Sequence, residues 1–384
     1  MSWPVVKLKD CCTVVGGATP KRNIPEYWDS KDVPWVTPKD ISKLSNKVLN
    51  DAPEYISQLG FDKCATSLLP KGAVLLTSRA PIGNVAIAGR DMCTNQGFKS
   101  LVPSDRVDST YLYYCMLWHS SMLEALGNGA TFKEVSKKIV EEFEIPLPPL
   151  DEQKRIAEIL DKADAIRQKR KQAIALADEF LRSVFLEMFG TDLVRDKNRV
   201  QFGDVTILDA KMVDPREDEY LDLLHIGPDR IQKNTGKLLP ALTAREEGLI
   251  SKKFFFNSEY VLYSKIRPYL RKAAIPDFSA LCSADMYPVK PIEGKATREF
   301  IWMLLLSDLF DTYVASLPDR ANIPKLNKKE LAAFEFSLPD YRKITTFSQI
   351  VKQHNKSIYS MELAVQIDET SFNALSQKAF SGQL

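Results

Sequence analysis

Apolar positions along this chain fall into short runs and long helical stripes. The β-branched runs at 73–77 (AVLLT) and 259–264 (EYVLYS), set between Gly and Pro, predict strands. Segments 109–126 (STYLYYCMLWHSSMLEAL) and 297–316 (TREFIWMLLLSDLFDTYVAS) each predict one mostly buried helix. Each half of the chain therefore opens with an α+β globule of about 140 residues, a normal domain size.

A long helix is expected after each globule. Pro146, Pro148 and Pro149 bar an earlier start, and Asp151 and Glu152 then place negative charge in the first turn, where the helix dipole favours it. This helix is expected to run to Phe189, with Gly190 as a left-handed cap. The second is expected from after Pro339 and Asp340 to near Phe380, before Gly382. Both stripes step by four and three, as a coiled-coil seam does. In the first, the seam is Ile156, Leu160, Ala163, Arg167, Arg170, Ile174, Ala177, Leu181 and Val184; in the second it is Phe347, Val351, His354, Ile358, Met361, Val365, Asp368, Phe372 and Leu375. His354 and Asp368 read as pairing or register devices in that seam. At 1.5 Å per residue such helices reach ~55–60 Å, too long for one small globule to cover. Antiparallel pairing, making a rod with a globule at each end, is favoured over two helices each packed on its own globule.

The chain also repeats itself. FEIPLPPLDEQKRIAEI at 143–159 returns as FEFSLPDYRKITTFSQI at 334–350, shifted by 191 residues. VKLKD (6–10) matches VQFGD (200–204), and WVTPKDI (35–41) matches HIGPDRI (225–231). VLLTSRAPIGNVAI (74–87) matches VLYSKIRPYLRKAAI (261–275), with one extra residue in the second copy. NQGFKSLVP (95–103) answers SADMYPVKP (283–291), and GATFKEVSKK (129–138) answers RANIPKLNKK (320–329). Six weak matches in one order establish an internal duplication.

Composition changes this picture little. The chain is 45% hydrophobic and 27% charged, the mixture of an ordinary globular protein. Lys and Arg total 52 against 50 acidic residues, so any nucleic acid must be met by local basic surfaces. No signal-like start occurs, and the most apolar run, 300–306 (FIWMLLL), is too short to span a bilayer. A soluble, cytoplasmic protein with no membrane partner is expected. The six cysteines include no CxxC pair and the three histidines are scattered, which favours reduced thiols over a disulfide framework, with no structural zinc or other metal expected.

With the repeat laid out, GATFKEVSKKIVEEFEIPLPPLDEQKRIAEILDKADAI resembles the central region of specificity subunits of type I restriction–modification enzymes. The resemblance extends to the order of elements along the whole chain, although the second junction, FEFSLPDYRKITTF, lacks the acidic-Gln stretch and second proline. It implies an α+β fold with internal pseudo-twofold duplication: a target recognition domain at 1–144, a junction and spacer helix at 145–190, a second recognition domain at 191–339 and a second spacer helix at 340–384. It further implies that each domain reads half of a split double-stranded DNA target, with the paired helices as a ruler for the unread spacer. Half-sites on one duplex face lie whole turns of ~34–36 Å apart, which suits a long rod. Two methylation subunits and the restriction subunits are the implied partners. S-adenosylmethionine, ATP and Mg²⁺ are expected in those partners, with no cofactor on this chain. The first junction, which keeps the family's pattern, is the expected docking surface.

The same resemblance places recognition loops at strand ends and before each junction. In the first half these carry Thr37, Lys39, Asp40, Ser78, Arg79, Asn95, Gln96, Asn128 and Thr131; in the second, His225, Asp229, Arg230, Lys265, Arg267, Ser283, Asp285, Arg320 and Asn322. Arg can bond a guanine bidentately, and Asn or Gln an adenine. Lys137, Lys138, Lys328 and Lys329 recur in both halves and suit phosphates. A loop Lys or Asn is more often simply solvated.

Catalysis is not expected of this chain. Asp277, Glu293 and Lys295 fit the loose PD…(D/E)xK spacing of metal-dependent nucleases, but Glu293 falls in a turn-like stretch where that pattern wants a strand. No adenine-methyltransferase segment occurs, and Gly127-Asn128-Gly129 is a lone GxG. The remaining alternative is a coiled-coil adaptor whose globules bind proteins.

Overall fold

A computed structural model of the chain describes residues 3–79, 81–129, 133–208, 210–318 and 324–384. Thr131, Arg320 and Asn322, among the residues singled out above, lie outside those described. The chain divides into two compact units, residues 1–171 with 363–384, and residues 172–362.

In the first unit, strand Val5–Lys7 pairs antiparallel with Glu144–Pro146 and closes the globule beside the junction. A five-stranded sheet runs in the order Cys12–Gly16, Lys99–Pro103, Val74–Leu76, Val85–Ala88, Val48–Leu49. A three-stranded sheet runs Glu54–Ile56, Val33–Val36, Cys93–Thr94. Val74, Leu75 and Leu76 are all fully buried, which is why this strand reads as a continuous apolar run without alternation.

The second unit repeats this plan. Arg199–Gln201 pairs with Glu335–Ser337, as Val5–Lys7 pairs with Glu144–Pro146. Met286–Pro291 lies between Thr206–Ile207 and Val261–Ser264, as Lys99–Pro103 lies between Cys12–Gly16 and Val74–Leu76. A parallel pair recurs at matching positions in the two halves: Trp35 and Val36 against Cys93 and Thr94, and His225 and Ile226 against Leu281 and Cys282.

Each buried helical segment expected as one helix is two. The first breaks at His119, between Ser109–Trp118 and Ser120–Ala125. The second breaks between Arg298–Leu305 and Asp308–Ala315, where Ser307 accepts from the Phe310 amide and caps the following helix. Both breaks fall on short polar stretches, 119–121 (HSS) and 307–308 (SD), set inside otherwise apolar runs.

The long helices span Leu150–Leu193 (44 residues) and Tyr341–Ser381 (41 residues). Within the first unit, the start of one packs antiparallel on the end of the other. Arg155 donates to the Leu384 carbonyl at 2.9 Å, while Arg170 and Lys171 meet Asp368 and Glu369 at 2.7 Å each. Within the second unit the remaining halves pair in the same sense, with Asp178 against His354 at 3.3 Å and Asp192 against Lys343 at 2.8 Å. His354 and Asp368 are thus both engaged across the helix pair. The seam residues Ile156, Leu160, Leu181, Phe347, Val351 and Phe372 are buried, and Arg167 lays its guanidinium over the Phe372 ring at 4.4 Å.

The first long helix does not stop at Gly190 as expected but continues to Leu193. Phe189 and Leu193 are both buried in the core of the second unit, and that packing outweighs the weak helix propensity of one glycine. Among the described residues no helix is long and apolar enough to cross a membrane.

Candidate nucleic-acid interface

The first unit gathers its singled-out loops onto one surface. Thr37 and Asp40 cap the short helix Pro38–Ser42: the Thr37 amide and hydroxyl donate to Asp40 Oδ2 at 2.8 and 2.7 Å, leaving Lys39 exposed. That helix abuts the loop after Cys93–Thr94, since a Cβ added to Gly97 would lie 2.9 Å from the Pro38 ring. Asn95 folds the loop by accepting from the Gly97 amide at 2.8 Å, and exposed Gln96 accepts from the Thr19 hydroxyl. Gly17 is needed beneath it, because any Cβ there would sit 2.2 Å from the carbonyl oxygens of Thr94 and Asn95.

Ser78 and Arg79 continue this surface. The Ser78 amide donates to the Gly97 carbonyl at 2.7 Å, and its own carbonyl accepts from the Val135 amide at 3.0 Å. Asn128 and Glu134 exchange backbone hydrogen bonds of 3.0 and 2.9 Å, bringing the segment before the junction alongside. Glu134 in turn meets Arg79 Nε at 2.9 Å and Lys99 Nζ at 3.4 Å. Partial burial works to raise the Glu134 carboxyl, but the Arg79 hydrogen bond and charge, with Lys99, hold it below the usual carboxylate range. Lys137 and Lys138 follow as the first residues of helix Lys137–Glu142; both are exposed, and Lys137 lies 3.6 Å from Glu141.

The second unit builds the same crossing with other side chains. The Lys265 amide donates to the Asp285 carbonyl at 3.0 Å, and the Lys265 carbonyl accepts from the Leu326 amide at 2.8 Å. Lys265 therefore stands where Ser78 does, Asp285 where Gly97 does, and Lys325 where Glu134 does. Lys265 and Lys325 each approach Asp285 at 3.9 Å. Ser283 turns the loop by accepting from the Asp285 amide at 3.1 Å, and its own amide donates to the Ile226 carbonyl as Asn95 donates to Val36. His225 Nδ1 is 2.7 Å from Glu247, Asp229 lies 3.2 Å from Arg230, and Arg230 donates to the Pro240 carbonyl at 2.8 Å. Arg267 is exposed with a left-handed backbone, φ 48°, a conformation that a bulky residue adopts only when its surroundings impose it. Lys328 and Lys329 open helix Lys328–Ala332, as Lys137 and Lys138 open theirs.

Three side chains in these crossings, Lys99, Glu134 and Lys325, are not among those singled out from sequence. The signal was nonetheless there, because the repeat aligns Glu134 with Lys325 and so reverses the charge at one shared position. The residues of the nuclease-like spacing are spoken for separately: Asp277 pairs with Arg298, Lys295 donates to the Asp204 carbonyl at 2.9 Å, and Glu293 stands exposed on a turn. In the first junction, Gln153 is buried and bonds to the Asp108 amide and to the carbonyls of Arg106 and Pro148, at 2.8–3.0 Å. That part of the motif locks the helix onto its own globule.

Comparison with known proteins matches this architecture. Residues 1–176 match the model of the type I restriction modification DNA specificity domain. The chain is 41% identical over 190 residues to the type I restriction enzyme MjaIX specificity subunit of Methanocaldococcus jannaschii, covering 49% of this chain and 43% of that protein. This match thus spans less than half the length of that relative. An alignment of 402 positions with the EcoDI specificity subunit of Escherichia coli has 24% identity and covers 92% of this chain and 89% of the relative. The crystal structure of the type I restriction–modification S subunit of M. genitalium shares the fold, with a TM-score of 0.56 at 13% identity, over 99% of this chain and 96% of that one. In its duplicated globules, its paired helices and these matches, the chain is similar to type I restriction–modification specificity subunits.

Proposed function

We propose that the chain binds double-stranded DNA at a bipartite target, each unit reading one half-site and the two long helices setting the length of the unread spacer. The observation that carries this reading is the pair of equivalent crossings. One backbone frame occurs twice with different polar residues on it, as two different half-sites require. Arg79, Gln96 and Asn128 on one unit, and Lys265, Arg267 and Arg230 on the other, are groups suited to base edges, while Lys137, Lys138, Lys328 and Lys329 suit phosphates.

We assign the chain the non-catalytic role of a specificity subunit, a reading supported by its likeness to such subunits. We assign methylation, with S-adenosylmethionine, to two partner subunits, and ATP- and Mg²⁺-dependent restriction to others, the whole acting in the cytoplasm. Protein partners are also suggested by the helices. Ile166, Leu363 and Ile367 in the first unit, and Leu176, Phe180 and Tyr359 in the second, are large apolar side chains left 49–69% exposed. Scattered apolar residues are normal on a surface, but Leu363 with Ile367 in the first unit, and Leu176 with Phe180 in the second, are each one helical turn apart, a spacing that suits a docked helix.

A salt series tests the DNA reading. Affinity for duplex DNA, measured by filter binding, is expected to fall log-linearly with salt at a slope of about −0.9 per phosphate neutralised. A flat response would leave the adaptor reading in its place.

A further inference from the structure

The crossings carry one more regularity, visible only when the two units are compared. Among the described residues, each has a carboxylate between two cations, but the carboxylate and the cations come from different positions. In the first unit Glu134 lies between Arg79 and Lys99, at 2.9 and 3.4 Å. In the second, the position of Glu134 is taken by Lys325 and that of Arg79 by Ile266, and the carboxylate is Asp285, 3.9 Å from both Lys265 and Lys325. The arrangement persists while every charged position in it has changed.

Such clusters do little for stability. Arg79, Asp285 and Lys325 have side chains 44–56% exposed, and ion pairs so open to water add little to stability. What a fixed carboxylate does well is orient a cation. A guanidinium held at Nε keeps its terminal nitrogens for a second partner, and that planar fork matches O6 and N7 of a guanine. Lys265 and Lys325 lack the fork and present point charges, so the second cluster makes a chemically different contact.

We propose that Arg79, Glu134 and Lys99 are the base-reading centre of the first unit, with Glu134 the positioning residue that aims the Arg79 fork at a guanine, and that Lys265, Asp285 and Lys325 are the corresponding centre of the second. This rests on the DNA-reading function proposed above.

The test is selection of duplexes from a randomised pool by the full-length chain, with sequencing of what is bound. The wild-type chain is expected to select a two-part motif. Glu134→Gln is expected to reduce the preference for one guanine in one half-site by roughly 5- to 150-fold, leaving the other half-site unchanged. Arg79→Lys, which keeps the charge but not the fork, is expected to relax the same position. Asp285→Asn is expected to relax a position in the opposite half-site only. The untouched half-site in each variant reports that the protein is folded and bound. An unchanged motif in Glu134→Gln, or a uniform weakening across both half-sites, overturns the positioning role while leaving the DNA-reading function standing. A wild-type chain that selects no motif overturns that function and this inference together.

Discussion

His119 occupies the break between two helices of the first unit, packed against Phe143 and Phe380 with ring centroids 5.9 and 6.0 Å apart. Burial lowers its pKa, and the hydrogen bond from Nδ1 to the Cys115 carbonyl, 2.8 Å, works the other way without restoring it. The unfolded chain therefore takes up a proton near pH ~6.5 while the folded chain still resists. Its contribution to stability is fully present above that pH and is lost as the pH falls below it. The urea midpoint is expected to be lower at pH 5.5 than at pH 7.5, with a smaller difference in His119→Gln. A variant that keeps the whole difference would assign it to other groups. At this scale the sequence shows less than the structure does. Nothing local marks His119 as buried, and nothing local tells that Thr37 and Asp40 spend their polar atoms capping a helix while Arg79 pairs with a residue 55 positions away.

Helix ends show how packing overrides local preference. Gly190 is helical, and a Cβ built on it meets nothing within 4 Å. Replacing it by alanine removes backbone entropy from the unfolded chain and introduces no clash. Gly190→Ala is expected to raise stability by about 0.5–1 kcal/mol, read as a higher urea midpoint; a lower midpoint would mean that the glycine serves some other contact. One residue earlier, Phe189 meets Phe185, Phe300 and Phe347 with centroids 5.2–5.5 Å apart. Phe189→Ala opens a cavity there and is expected to cost about 3–5 kcal/mol in the same assay. The heptad seam was legible because Ile156, Leu160, Val351 and Phe372 recur at the right spacing and are buried. The helix continues past Gly190, and 109–126 and 297–316 each hold two helices, because glycine and serine signal ends that tertiary packing can refuse or use.

For the molecule as a whole, the proposed spacer role makes a geometric prediction. Inserting one heptad at matched positions in both long helices preserves the seam and adds ~10 Å of helix. The selected motif is expected to keep both half-sites and gain a longer gap between them. A motif with an unchanged gap would show that the helices are not the ruler. The duplication is what made this scale readable from sequence: six aligned segments reveal two related globules before any coordinate is known. The pairing of the helices, inferred from their length, is seen within each unit in contacts such as Arg170 with Asp368 and Asp178 with His354.

What the sequence determined by itself is the plan: two α+β halves, two long helices, a shared seam and a resemblance to one family. These follow from periodicity and repetition, properties of residues close in the chain or copied along it. The tertiary structure alone decided which polar side chains meet. Glu134 reaches Arg79 and Lys99 because the strand end at Ser78, the turn at Gly97 and the segment before the junction hydrogen-bond across one another. Such a meeting depends on distance in space between segments far apart in sequence, and no local pattern encodes it.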